Sequence, residues 1–561
     1  MIDSVRRINL VLAIAIATLI IAIITLSWVP PISKDALVHH LALPKLYLEH
    51  GSIYEIPSMP FSYFPMNLDL LYMIPLYYGN DIIPKLIHFS FALLTAWLLF
   101  VYLKRRMSRT YSLLGVLLFL SIPIIIKLSI TVYVDLGVIF FSFASLFLIL
   151  KWAESHFQIK YLIFSAIFCG LAMGSKYNGL VHFCILSLFV PFIYSSHKKN
   201  KNPGLLRPAG FCGLFIIISL LIFSPWMIRN CAWKGNPIYP QYNKIFNSNE
   251  NPIKKYVQKK KSVEKKNHGF FTFRSLIYNE TGWEIALLPI RIFFQGKDGS
   301  PQYFDGELNP FLILLPIFAF IRKRESPDIF RSEKMIMLAY VTLFFFFAFF
   351  TSVLRIRYIS PIIPPLVVLS MFGVYNITGI VKKFHPKITL RTGLGFLILS
   401  LVFFLALNVH YIVRQFNFIK PLSYISGALT RDEYLKNYIP EYPAMQYINS
   451  NLEPDALILF VLMGKKGYYC ERDYILGRNE FFRIVKRSDT PKAITLGLKK
   501  KGVTHILFND YFFAKWVKQN LGQKENIKLR SFFNSQINVL YFKSGYVLCS
   551  IKQDSDRSFL K

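Results

Sequence analysis

The chain has 561 residues, 54% of them apolar and 16% aromatic, with 17% charged and a mean hydropathy of +0.40. That composition excludes an ordinary soluble domain and describes a polytopic membrane protein. The formal charge of +34, from 65 Lys and Arg against 31 Asp and Glu, is therefore read first as topology and lipid contact and not as nucleic-acid binding. The six cysteines show no zinc-ribbon or disulfide-scaffold spacing.

A membrane-spanning helix needs about 20 apolar residues. Residues 10–28 qualify without a charge and follow Arg6 and Arg7. The stretch is too long for a signal-peptide core and lacks a small-residue cleavage site, so a retained first span with a cytoplasmic N-terminus is predicted. Further spans are predicted at 82–102, 111–126, 136–150, 161–174, 179–194, 211–228, 310–321, 335–353, 358–380 and 394–413, about eleven in all. This threading puts Lys104-Arg105-Arg106, Lys198-Lys199-Lys201, Arg322-Lys323-Arg324 and Lys382-Lys383 in the cytoplasm. Short loops on the other side are then nearly free of Lys and Arg, as the positive-inside rule requires. The span at 310–321 is the weakest, and losing it would invert everything after it.

Three outer segments are large: 29–81, 229–309 and everything after 413. The basic run 254–266 falls in the second and reads as a solvated or headgroup-binding face. The reading thus divides the chain into a helical membrane domain, 1–413, and a small extracytoplasmic α/β domain, 414–561. Within the latter, helices are predicted at 442–449, 491–500 and 511–520, strands at 456–462 and 504–508, and a hairpin around 539–551. Cys470 and Cys549 are the one plausible disulfide pair.

Ionisable residues near spans are expensive to hold there and are functional candidates. Nearly all of them fall on the predicted outer face. Asp35 follows the first span by seven residues. Ser33 can cap a helix there, and Asp35 and His39 then share a face at i,i+4 with His40 adjacent. A capped amphipathic loop helix would look the same. Asp135 ends the turn Thr131-Val-Tyr-Val-Asp135, Lys176 sits in the next outer turn, and Arg355 and Arg357 occupy the one after. Singly, each also fits a turn residue or an interfacial anchor. Together they supply a carboxylate to accept a proton and cations to hold a phosphate as it leaves. A lipid-phosphate sugar donor needs both, with apolar grooves for its tail.

Several motifs carry a family resemblance. They are Asp35-Ala-Leu-Val-His-His40-Leu-Ala-Leu-Pro-Lys45, Phe61-Ser-Tyr-Phe-Pro65-Met-Asn-Leu-Asp-Leu-Leu-Tyr72, the turn ending in Asp135, and Gly170–Gly179 with Lys176. Ser224-Pro-Trp-Met-Ile-Arg229-Asn230, Gly235-Asn-Pro-Ile-Tyr239 and Arg357-Tyr-Ile-Ser-Pro361 complete the set. Over residues 1–413 the chain resembles the GT-C superfamily of membrane glycosyltransferases, near the protein O-mannosyltransferases and lipid A aminoarabinose transferases. The resemblance implies an inverting transfer of a hexosyl or pentosyl group from a polyprenyl-phosphate donor to a hydroxyl of a glycan, lipid or protein. It maps the catalytic carboxylate onto Asp35 and an organising one onto Asp135. Lys176, Arg355 and Arg357 would hold the lipid phosphate, with Arg229 and Arg291 in second rank. Ala36 stands where many members have a second acidic residue, which weakens the case for a metal. A divalent cation on His39, His40 and Asp135 is the remaining metal candidate. The stretch Gly296–Glu307 fits an acceptor pocket or an ordinary turn. The expected location is a bacterial inner membrane. The rival reading is a transporter or flippase of lipid-linked sugars, but such proteins carry midplane charges and repeated spans, which this sequence lacks. A receptor-like protein with its α/β domain as binding module is the third reading.

Overall fold

The computed structural model describes residues 2–197, 206–247, 270–321, 330–349, 354–384, 408–464 and 466–552. The basic clusters at 198–201, 254–266 and 322–324 lie outside these residues, as does most of the predicted span 394–413. By its internal contacts the chain forms two units. The first comprises Met1–Val29, Tyr63–Pro75 and Ile82–Leu422; the second comprises Pro30–Ser62, Leu76–Asp81 and Ser423–Lys561.

The first unit is helical. Among the described residues, six helices are long and apolar enough to cross a membrane: Val5–Ser27, Ile83–Arg106, Asp135–Glu154, Asn178–Ser196, Leu206–Lys234 and Ile356–Gly379. Ile159–Ser175 is a shorter apolar helix. The predicted span 111–126 is a broken pair, Arg109–Ser121 and Pro123–Ser129, bent by 65°. Proline explains the break, because Pro123 has no amide to donate and its ring pushes Ile122 into an extended conformation. The Ile124 amide freed at the break donates to the Glu307 carbonyl at 3.0 Å, as backbone in an apolar setting must. The predicted span 310–321 contains the helix Phe311–Phe318, whose eight residues are too few to cross a bilayer alone.

Small residues set the helix packing. Ser145 and Ser165 each donate to the other's carbonyl at 2.8 Å. At Gly170 a Cβ would meet the Ser219 carbonyl at 2.7 Å, so only glycine lets Ile159–Ser175 and Leu206–Lys234 approach this closely. At one end of the bundle Arg106 grips Glu333 through Nε at 2.6 Å and Nη2 at 2.9 Å, and also pairs with Glu154. Tyr102 donates to the same Glu333 carboxylate. The three helix ends gathered there are those the charge threading assigns to one face, including the one after the weakest span.

The second unit holds a mixed five-stranded sheet. Its strands are β1 (Ile458–Val461), β2 (Tyr474–Leu476), β3 (His505–Asn509), β4 (Ile537–Lys543) and β5 (Tyr546–Ile551). Their order is β2-β1-β3-β5-β4. The first three are parallel, and the hairpin β4–β5 adds antiparallel to β3. Predicted helices appear at Tyr442–Asn451, Pro491–Lys499 and Asp510–Asn520, while Arg478–Arg487 and Gln523–Gln536 were not anticipated. The expected disulfide is absent. Cys470 and Cys549 are both free and buried, and they belong to two different apolar clusters of the unit, so their thiols do not meet. Burial pushes the Cys470 thiol up to about 11 and the Cys549 thiol up to about 12, which keeps both protonated and unreactive.

Candidate active site

In the first unit Asp135 opens the helix Asp135–Glu154, where the helix dipole favours an anion. His88, fully buried on Ile83–Arg106, fixes this helix start. Its Nδ1 lies 2.9 and 3.0 Å from the carbonyls of Leu128 and Thr131, and its Nε2 accepts from the Leu136 amide at 3.0 Å. That pattern assigns a neutral imidazole protonated at Nδ1. Asp135 is 1% exposed. Its Oδ1 accepts from Lys176 Nζ at 2.6 Å, while Oδ2 has no hydrogen-bond partner among the described residues. The Arg357 guanidinium also acts electrostatically on it.

Lys176 follows directly after Ile159–Ser175 in extended backbone. The glycines around it allow close approach: a Cβ at Gly174 would lie 2.2 Å from Asn67 Nδ2, and one at Gly179 would lie 2.5 Å from the Ala172 carbonyl. Asn67 accepts in turn from Trp226 Nε1 at 2.8 Å. Two of the sequence motifs are thereby locked to a third.

Lys176, Arg355 and Arg357 come together around one ring. Lys176 Nζ lies 5.3 Å from the Tyr358 ring centre, Arg357 Cζ 5.4 Å and Arg355 Cζ 6.0 Å, within the range of cation–π attraction. Asn178 holds the Tyr358 backbone by donating to its carbonyl at 2.9 Å. Arg357 also faces Tyr133 at 5.1 Å. Arg355 pairs with Asp305 at 3.3 Å, and its Nε is buried without a hydrogen-bond partner among the described residues. The stretch Gly296–Glu307 thus anchors this arginine: Phe304 accepts from the Ile356 amide at 2.9 Å, and Lys127 bridges Asp298 and Asp305 at 3.0 Å each.

The second-rank arginines serve elsewhere. Arg229 donates from Nη2 to the Phe64 carbonyl at 3.0 Å and lies over Trp226 and Trp233. With Asn230, which donates to the Tyr63 carbonyl at 2.8 Å, it clasps the Phe61–Tyr72 motif. Arg291 pairs with Glu280, which Arg274 also holds through two nitrogens in full burial.

Asp35, His39 and His40 belong to the second unit. Asp35 is half-buried and immediately precedes a π-helical turn, Ala36–His40, closed by the Leu41 amide donating to the Ala36 carbonyl at 2.9 Å. The sequence implied an ordinary α-helix; π-turns of this kind are frequent at functional sites. His39 stacks on Phe61 at 4.1 Å and His40 is buried. The metal candidate is not supported, because among the described residues no three His, Cys, Asp or Glu side chains converge to hold an ion.

The sequence reading passes over His88, and names Tyr358 and Asp69 only as members of motifs, without a role. Asp69 is 3% exposed and within electrostatic reach of Lys176. His88 and Asp69 could have been found as ionisable residues inside apolar stretches. Tyr358 had no such mark. The same unit contains an apolar cavity of about 690 Å³ lined by Phe293, Leu312, Pro316, Val341, Phe345 and Leu366, among others.

The chain shares its fold with a membrane protein of known structure. ArnT from Cupriavidus metallidurans shares it over 96% of this chain and 97% of ArnT. The apo form aligns at a TM-score of 0.55 with 14% identity, and the form bound to undecaprenyl phosphate at 0.52 with 13%. Residues 83–228 match the family model of the dolichyl-phosphate-mannose-protein mannosyltransferases, a stretch with His88, Asp135 and Lys176 but without Asp35, Arg355 or Arg357. No curated protein matches the chain in sequence.

Proposed function

We propose that the protein moves a sugar from a polyprenyl-phosphate donor to a hydroxyl acceptor, by a single displacement with inversion, at the extracytoplasmic face of a bacterial inner membrane. The observation that carries this reading is the collar of Lys176, Arg355 and Arg357 around Tyr358. Three cations gathered around the Tyr358 ring, two of them also paired with the carboxylates of Asp135 and Asp305, would form a preorganised seat for a phosphate that gains charge as the glycosidic bond breaks. The two arginines offer forked hydrogen bonds and Lys176 a point charge. Asp135 orients Lys176. The apolar cavity would take isoprenoid chain.

Asp35 acts in this reading as the general base that takes the acceptor's proton, a role worth about 10²–10⁴-fold in rate. The acceptor is a glycan, lipid or protein hydroxyl, and the division into a 1–413 catalytic domain and a 414–561 α/β domain belongs to the same proposal. The test is Asp35→Asn in purified protein with a radiolabelled lipid-phosphate sugar. Transfer should fall by about that factor with donor binding retained; undiminished transfer would refute the assignment. Sugar crossing proteoliposomes without transfer would favour a transporter instead.

A further inference from the structure

The first-loop segment that carries Asp35 folds as part of the same unit as the C-terminal α/β region. Both flanks of Asp35 are tied to a single loop, residues 468–472. On the N-terminal side Tyr469 donates its hydroxyl to the Pro31 carbonyl at 2.8 Å. On the C-terminal side Lys45, in the helix Ala42–His50, donates from Nζ to the carbonyls of Tyr468 at 3.1 Å and Cys470 at 3.0 Å. Leu37, two residues after Asp35, is fully buried against Leu435, Ile439 and Tyr442. Lys45, which also pairs with Glu49 at 3.7 Å and is partly exposed, thus gives two of its contacts to the backbone of one loop, and it closes the first of the sequence motifs without a role in the chemistry above.

The loop is itself fixed to the sheet-bearing part. Asn449, on Tyr442–Asn451, donates to the Tyr469 carbonyl at 3.0 Å and accepts from the Glu471 amide at 2.9 Å. Arg472 donates to the carbonyls of Leu452 at 3.0 Å and Asn449 at 2.8 Å. The path therefore runs from the sheet's flanking helix, through the loop, to both sides of the carboxylate.

We infer that the C-terminal α/β region is a positioning element for Asp35, with Tyr469 and Lys45 as the positioning residues that hold the carboxylate-bearing turn in register. The inference rests on the reading of Asp35 as the base. A base displaced by about 1 Å loses about 10²-fold in rate, while donor affinity, set by other residues, does not change. The segment's short π-turn and two-sided anchoring suit such a constraint.

The test compares Tyr469→Phe, which removes one oxygen, Lys45→Met, and the double variant, in full-length protein assayed with a radiolabelled polyprenyl-phosphate sugar. The expected result is a fall in kcat of about tenfold in each single variant and about 10²-fold in the double, with KM for the donor unchanged. Lys45→Arg, which keeps a donor to the carbonyls, should recover most of kcat. Hydrogen exchange should rise over residues 31–45 in the double variant and not in the membrane helices. If Asp35→Asn is inactive while the double variant keeps wild-type kcat, the inference is wrong and the catalytic reading stands. A rise in donor KM equal to the fall in kcat/KM would also overturn it. If Asp35→Asn is fully active, the catalytic reading fails first and takes the inference with it.

Discussion

Replacing Lys176 by methionine removes the cation from a buried pair whose side chains are 18% and 2% exposed. At 2.6 Å and an effective dielectric of about 20, the attraction is about 6 kcal/mol before desolvation is counted. What breaking such a pair costs in practice is about 3–5 kcal/mol, because a buried carboxylate is left without its partner. Asp135 is badly placed to absorb that loss, since its Oδ2 already lacks a hydrogen bond among the described residues. Arg357 offsets part of it, which puts the expected cost near the lower end, about 3 kcal/mol. The assay is heat-induced loss of monodisperse protein in detergent, run alongside donor binding. Lys176→Met should be clearly less heat-stable than wild type. Adding Asp135→Asn should restore part of the stability, because the unpartnered carboxylate is then gone although Arg357 stays buried, but should not restore donor binding. A single variant as stable as wild type would refute the argument, as would a double variant less stable than the single.

Gly373→Ala should destabilise the membrane unit by about 1–3 kcal/mol, because the new Cβ would lie 2.1 Å from the Leu315 carbonyl, a backbone atom that cannot move aside; the same heat assay reads it. Thr430→Ala removes a capping box in which Thr430 and Glu433 satisfy each other's backbone amides, and should cost about 1 kcal/mol in the helix Arg431–Tyr438, visible as faster hydrogen exchange there. Burial holds His505 below its ordinary value of 6.5, so the unfolded chain takes up a proton that the folded strand β3 resists. The stability it contributes is complete above pH 6.5 and declines as the pH falls below it. Exchange from β3, corrected for intrinsic rates, should rise on acidification in the wild type and lose that dependence in His505→Asn.

Much of this was legible in the chain itself. Apolar run length located the helices, because a bilayer imposes a fixed crossing length on any sequence. Charge placement predicts an alternation that puts Arg106, Glu154 and Glu333 on one face, and in the structure the three side chains meet. Alternating strand and helix signals gave the C-terminal α/β class. These are local properties, set within a few turns of chain. Isolated ionisable residues in apolar surroundings likewise pointed to Asp135 and Lys176.

Tertiary structure alone decided the rest, because it depends on residues far apart in sequence. The predicted span at 310–321 contains an eight-residue helix. The span at 111–126 broke at Pro123, where Glu307, distant in sequence, accepts the freed amide. Cys470 and Cys549 stayed unpaired because each is packed in its own apolar cluster. The three cations are predicted together, as a phosphate site on one face, but nothing in the sequence says that they gather around the Tyr358 ring. The ties from Tyr469 to Pro31 and from Lys45 to Tyr468 and Cys470 join positions more than 400 residues apart, and no period, cap or charge pattern could have announced them. The +34 of the sequence is read as threading; which few of those charges face a common ring, and which are spent on holding backbone, was settled by packing.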